Sequence, residues 1–161
     1  MARSNDPLAD VARLVPRIYA YVAYRIGAGP DAEDVTSDVF ERALRYRNAY
    51  DPSLGEPIGW LIGIARRCID AAGRPSFPQS NGDLGAESAA GELEAESLRR
   101  LTVAAAVAQL DERDRDLIAL RYGSDLSARQ IGDLVGMKQN AVEVALHRAR
   151  ARLREELSPD D

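Results

Sequence analysis

Apolar residues recur at helical spacing along most of the chain, and nowhere do they alternate over a useful length as a strand requires. The clearest stretch is 126–157. Ser127 is a good N-cap, and Gln130 three residues on completes a capping box. Ile131, Leu134 and Val135 then share one face before Gly136, the expected left-handed stop. After the turn Gly136-Met137-Lys138, a second helix places Val142, Leu146, Ala149 and Leu153 on its inner face. A short helix, a glycine turn and a longer basic helix predict a helix-turn-helix, with a plain helical hairpin as the alternative.

Upstream, residues 7–26 predict a helix carrying Leu14, Ile18, Tyr21, Val22 and Ile26, with a kink or break at Pro16. Asp31 is expected to cap the next helix, 31–48, which buries Val35, Val39, Phe40, Ala43 and Leu44. Pro57 suits the first position of a third helix, 57–73, burying Ile58, Leu61, Ile62, Ala65, Ile69 and Ala72. The period lapses over 73–91, which is rich in Gly, Pro, Ser and Ala. Such a segment predicts a flexible linker with an end-to-end distance of roughly 20–25 Å, long enough for its flanks to reorient. Helical spacing resumes over 92–109, and another helix runs from Asp111 to a stop at Gly123. The expected class is all-α: an N-terminal helical bundle (1–74) and a C-terminal helix-turn-helix domain (92–161), joined by the linker (75–91).

Charge changes the picture only when it is divided. Taken whole, the formal charge of −5 over 161 residues argues against a nucleic-acid partner. Residues 1–74, however, balance ten Arg against ten acids, and 113–161 balance nine basic residues against nine acids. The surplus lies in 75–112, where Arg99 and Arg100 face seven acids. The segment 138–154 carries Lys138, Arg148, Arg150, Arg152 and Arg154 against Glu143, a local +4, and local fields decide where polyanions dock. That modest basicity predicts weak DNA binding by the chain alone. On the exposed side of the second helix, Gln139 and Asn140 suit adenine, Glu143 suits cytosine, and Lys138 suits guanine or phosphate. His147 reads as a groove or phosphate contact or as a solvated surface residue.

Catalytic chemistry is not in view. The sequence has no glycine-rich phosphate loop, no paired-cysteine metal site and no histidine cluster, so neither cofactor nor metal is expected. Cys68 and His147 are single members of their types, and Cys68 reads as a half-buried helix residue. A lone cysteine excludes an internal disulfide framework and fits a reducing compartment. The first residues lack the apolar core of a signal peptide, and no apolar run approaches the ~20 residues of a membrane span. A cytoplasmic protein without enzymatic activity is expected.

Two signatures in order carry a resemblance. The first is DAEDVTSDVFERAL (Asp31–Leu44) followed by WLIGIARRCID (Trp60–Asp70); the second runs from Leu110 to Leu157. Together they resemble the extracytoplasmic-function (ECF) sigma factors, the small two-domain initiation subunits of bacterial RNA polymerase. The resemblance implies that the core polymerase is bound through Asp34, Ser37, Asp38 and Glu41, with Ser37 standing where Gln is usual and Asp38 where Glu is usual. It implies a downstream promoter element opened and held by Arg45, Tyr46, Arg47, Asn48, Tyr50, Trp60, Arg66 and Arg67, with Arg74 in support. Aromatic groups there would stack on unpaired bases and arginines would meet phosphates; Trp60 reads equally well as a core anchor. The upstream element would be read by Lys138, Gln139, Asn140, Glu143 and His147, and gripped through phosphates by Arg148, Arg150, Arg152 and Arg154. Promoter DNA and an anti-sigma factor are the further partners the family implies. A free-standing helix-turn-helix regulator and a polymerase adaptor that reads no DNA are the alternatives.

Overall fold

The computed structural model describes residues 5–72 and 91–158. The expected linker and Arg74 lie outside the described residues. Among those described, every regular element is helical: α1 (Val11–Ile26), α2 (Pro30–Arg45), a 3₁₀ turn (Arg47–Ala49), α3 (Pro57–Ala71), α4 (Gly91–Gln109), α5 (Glu112–Ile118), a π turn (Ala119–Gly123), α6 (Ala128–Val135) and α7 (Gln139–Leu157).

Several boundaries differ from the sequence reading. The first helix begins at Val11, because residues 7–10 form a turn. It passes Pro16 without a break. Pro16 and Ala12, whose carbonyl loses its partner, are both exposed, so water can satisfy that carbonyl. Asp31 does not cap α2: Gly29 is the N-cap and Pro30 takes the first position, where its fixed φ is already helical. Asp31 and Glu33 instead lie in the first turn, favourable places for negative charge. The buried stripe of α2 is Ala32, Thr36, Val39 and Ala43, so Leu44 falls one helical step off it and is 57% exposed. Ala72, expected inside, is exposed past the last turn of α3.

One hydrophobic core runs through both halves. Leu14, Ile18, Tyr21 and Val22 of α1 join Leu61, Ile62 and Ala65 of α3, and also Leu117, Leu120, Leu126, Ile131 and Val142 from the second half. Helix α1 therefore packs on α2 and α3 and equally on α5 and the π turn. The contact is close enough to set residue size: a Cβ on Gly123 would lie 2.9 Å from the Tyr21 backbone nitrogen. Ser124, fully buried, donates from its hydroxyl to the Arg17 carbonyl at 3.0 Å, and the Arg17 Nε donates to the Ser124 carbonyl at 2.8 Å. At the other end of α5, Asp111 caps the helix by accepting from the Asp114 amide. Arg115 donates to the carbonyls of Ala108 and Leu110, closing the end of α4.

Candidate nucleic-acid interface

The α6–α7 pair is built by local rules. Ser127 Oγ accepts from the Gln130 amide at 3.1 Å and Gln130 Oε1 accepts from the Ser127 amide at 2.9 Å, so both arms of the capping box are closed. Gly136 takes φ +73°, and both it and Met137 donate to the Gly132 carbonyl. Gly132 is what lets the turn fold back. A Cβ there would stand 2.4 Å from the Met137 carbonyl oxygen.

Val142, Leu146 and Ala149 are buried and Leu153 is half-buried, as the spacing predicts. With 100° per residue, the direction opposite that seam passes through Asn140, Val144 and Ala151, flanked by His147 and Arg148. All five are exposed. Gln139, Glu143 and Arg150 lie nearer the flank. Gln139 Nε2 approaches Glu143 Oε1 at 3.5 Å, and Arg150 donates to the Tyr122 hydroxyl at 3.2 Å. Lys138 is the N-cap residue and gives no side-chain cap. Arg152 pairs with Asp114, so part of the expected phosphate grip is spent inside the domain. Arg148 stays exposed beside a groove of about 600 Å³ that Arg113, Asn140 and Val144 also line. Sequence reasoning passed over Val144, 51% exposed, and Arg113. A helical wheel finds the first; the second becomes visible only when α5 is placed beside α7.

In the first half, Asp34, Ser37 and Glu41 are exposed on α2 and Asp38 is half-buried. Asp38 pairs with Arg42 at 3.3 Å and Glu41 with Arg45 at 3.3 Å. Exposed Leu44 adds an apolar edge to that acidic face. The expected downstream residues divide. Arg45, Tyr46, Arg47 and Asn48 are exposed at the end of α2 and in the 3₁₀ turn, and Arg67 is exposed on α3. Tyr50 and Trp60 meet edge to face with ring centroids 5.6 Å apart, and the Tyr50 hydroxyl donates to the Gly55 carbonyl at 2.8 Å. They line a cavity of about 290 Å³ whose far wall is Gln130, Asp133 and Leu134 of α6. Trp60 is half-buried: it packs against the core and also lines this cavity.

Arg66 is half-buried, with Nη1 3.2 Å from Asp116 Oδ2; the alignment makes this an ion pair without a hydrogen bond. Asp116 is the centre of a larger cluster. The Tyr21 hydroxyl donates to its Oδ1 at 2.6 Å, and Arg25 Nη1 reaches the same oxygen at 2.9 Å and the Tyr21 hydroxyl at 2.8 Å. Burial, and then the Asp116 charge, push the Tyr21 phenol above its ordinary range, so it stays a donor throughout the physiological range.

Cys68 is buried, and burial, followed by the nearby Asp38 charge, pushes its thiol up to about 11. It is no nucleophile at neutral pH, and alkylation of the native protein at pH 7 is expected to be far slower than after denaturation. Because the folded thiol ionises above its unfolded value, its contribution is complete below about pH 9 and is lost as pH rises towards 11. Thermal melts across that window should decline by up to about 1.4 kcal/mol per pH unit more than those of Cys68→Ser.

An exposed helix-turn-helix, set against a helical bundle with arginines and aromatic rings, is the arrangement of a two-part helical protein with a face suited to nucleic acid. Comparison with known families sharpens that class: residues 11–73 match the family model for sigma-70 region 2, and residues 100–153 match that for sigma-70 region 4. The ECF RNA polymerase sigma factor SigD of Mycobacterium tuberculosis is 30% identical over 98% of this chain and 80% of its own length. BldN of Streptomyces coelicolor, another ECF sigma factor, is 29% identical over 89% of this chain, which spans only 57% of BldN. The solved structure of CnrH in complex with the cytosolic domain of CnrY superposes with a TM-score of 0.68 at 25% identity, covering 94% of this chain and 86% of CnrH. The chain belongs to the ECF sigma factor family.

Proposed function

We propose that this chain is a promoter-specificity subunit: it binds core RNA polymerase, directs it to particular promoters and performs no catalysis itself. The observation that carries this reading is the presence of both family regions, in order, on a chain whose second region ends in a helix with an open reading face. In this reading residues 1–74 bind polymerase and open the downstream element, 75–91 connect, and 92–161 read the upstream element. Asp34, Ser37, Asp38 and Glu41, with Leu44 at their edge, form the polymerase contact. Arg45, Tyr46, Arg47, Asn48, Tyr50, Trp60, Arg66 and Arg67 meet the opened strand. Its site of action is the cytoplasm, where polymerase works.

On α7, the outward face gives Asn140, His147 and Arg148 the central places, with Lys138, Gln139, Glu143 and Arg150 around them. Val144, at the middle of that face, has no polar group and suits the 5-methyl of thymine. An anti-sigma partner is part of the reading, since CnrH is seen with the cytosolic domain of CnrY. Exposed Leu98 and Leu101 on α4 supply apolar surface for such a partner.

The test is run-off transcription with purified core polymerase over a promoter library. Specific starts that depend on the added chain support the reading and supply both elements. Rebuilding the selected upstream element with deoxyuridine for thymine should then lower initiation about fivefold or more, and Val144→Ser should remove that sensitivity. Duplex DNA shifted by the chain alone, with no polymerase-dependent start, transfers the protein to the free-standing regulators. Activity that survives Arg148→Ala with Arg150→Ala transfers it to the adaptors.

A further inference from the structure

From Gln139 to His147 the outward helix α7 carries Glu143 and neither lysine nor arginine. The cations nearest this stretch stand at its side, in the groove of about 600 Å³ between α5 and α7. Arg113 of α5 and Arg148 of α7 both line it. The hydrogen-bond partner of Arg113 is the neutral sulfur of Met137, 3.6 Å from its Nη2. Among the described residues neither Arg113 nor Arg148 forms an ion pair, although seven other arginines do. Ala141 and Ala145 also line the groove; being one turn apart and ending in a single methyl each, they leave the space between the two guanidiniums open. Asn140 and Val144 form its outer edge, one residue and so about 100° round the helix from the two alanines. The acids of the groove have partners already. Asp114 is buried against Arg152, and Asp111 caps α5 by accepting from the Asp114 amide at 2.8 Å. Three arginines against two acids leave the groove a net charge of +1.

We propose that this groove holds the phosphodiester backbone of one promoter strand, gripped by Arg113 from α5 and by Arg148 from α7. The inference rests on the reading above in one respect, that α7 lies against the upstream element. With Asn140 and Val144 turned to base edges, a strand passing on the side of the two alanines lies between the two guanidiniums. A guanidinium presents its N–H donors as a fixed fork that matches phosphate oxygens. Arg113 gives up little to make that contact, since a thioether is a weak acceptor. Arg152 cannot do the same, because leaving Asp114 would strand a buried carboxylate. One arginine of the groove is thus withheld from DNA by an acid, while a sulfur holds the other at the edge in readiness. The contact supplies affinity and register, and carries no sequence information itself. The surface that meets the upstream element is therefore two helices wide, and α5 provides the charge that the first turns of α7 lack.

The test uses the full chain bound to core polymerase, titrated with promoter DNA at several salt concentrations. Arg113→Ala should weaken promoter binding about five- to tenfold and lower the slope of log affinity against log salt by about 1, with the selected upstream sequence unchanged. Arg113→Lys, which keeps the charge, should keep the slope. Arg113 is exposed, so the helical circular dichroism and melting temperature of both variants should match wild type. Phosphates of the upstream element are then replaced one at a time by uncharged methylphosphonates. At one position the replacement should cost wild type about as much as Arg113→Ala does, and should cost Arg113→Ala nothing further. An unchanged salt slope, or losses that add at every phosphate, overturns the proposal. Weaker transcription from Arg113→Ala with promoter binding and slope intact also overturns it, and gives the groove to an acidic protein segment. Wild-type complex that holds no promoter in preference to random duplex overturns the sigma-factor reading itself, and this contact with it.

Discussion

Gly132→Ala is expected to lower stability by about 3 kcal/mol, at the upper end of what overpacking usually costs. The added methyl would meet the Met137 carbonyl oxygen at 2.4 Å, and that oxygen is backbone, with no rotamer to move to. Relief requires the α6–α7 turn to open, which withdraws the Gly132 carbonyl from the amides of Gly136 and Met137. For a chain of this size the melting temperature should fall by roughly 6–12 °C. The fitting control is Gly63→Ala in α3, where a Cβ meets nothing within 4 Å. There the lower backbone entropy of alanine should stabilise the helix by about 0.5–1 kcal/mol. A fall at Gly132 no larger than the change at Gly63 would mean that the turn yields, and that the close approach does not hold the reading helix in place.

The second large effect belongs to α2. Reversing charge with Asp34→Lys and Glu41→Lys should abolish factor-dependent transcription while shifting the melting temperature little. Both side chains are exposed, and substitutions at such positions away from special features usually change stability by no more than about 0.5 kcal/mol. Glu41 loses its ion pair with Arg45, but an exposed pair four residues apart is worth only about 0.3–0.5 kcal/mol. Any large loss of activity must therefore come from a missing partner contact. Binding to core polymerase, followed by fluorescence anisotropy, should weaken in step with transcription. Binding at wild-type strength would remove this face from the polymerase contact.

Features written in short spans of sequence were legible. The capping box at Ser127 and Gln130, the left-handed Gly136 and the seam of Val142, Leu146 and Ala149 depend on residues within a turn or two of one another, and each stands as spacing predicts. The misreadings arose where the chain offered two local choices. Asp31 and Pro30 both suit the start of α2, and the fixed φ of proline prevailed; Leu44 looked buried by type although its angular position lies off the stripe. The Asp116 cluster was not legible at all. Its partners lie at large sequence separation, and nothing in the pattern DERDRDLIAL distinguishes the acid that faces α1 from those that face water. The π turn was equally hidden, since ALRYG reads as ordinary helix. Among the expected DNA contacts, exposure could be read from helical angle, but the engagement of Arg66 and Arg152 by acids could not.

That π turn has a consequence for how the reading helix is aimed. The amide of Ser124 reaches back five residues to the Ala119 carbonyl and that of Leu126 reaches six to Leu120, so the chain spends an extra residue there. Each residue of an α-helix advances the face by about 100°. Deleting one residue between Ala119 and Gly123 would restore ordinary winding and swing everything after it by about that angle. α5 could then still present Asp116 to α1, but the glycine and serine that seat against Arg17 and Tyr21 would face elsewhere. The orientation of α7 relative to the first half is therefore a matter of counting, carried by one surplus residue in the π turn.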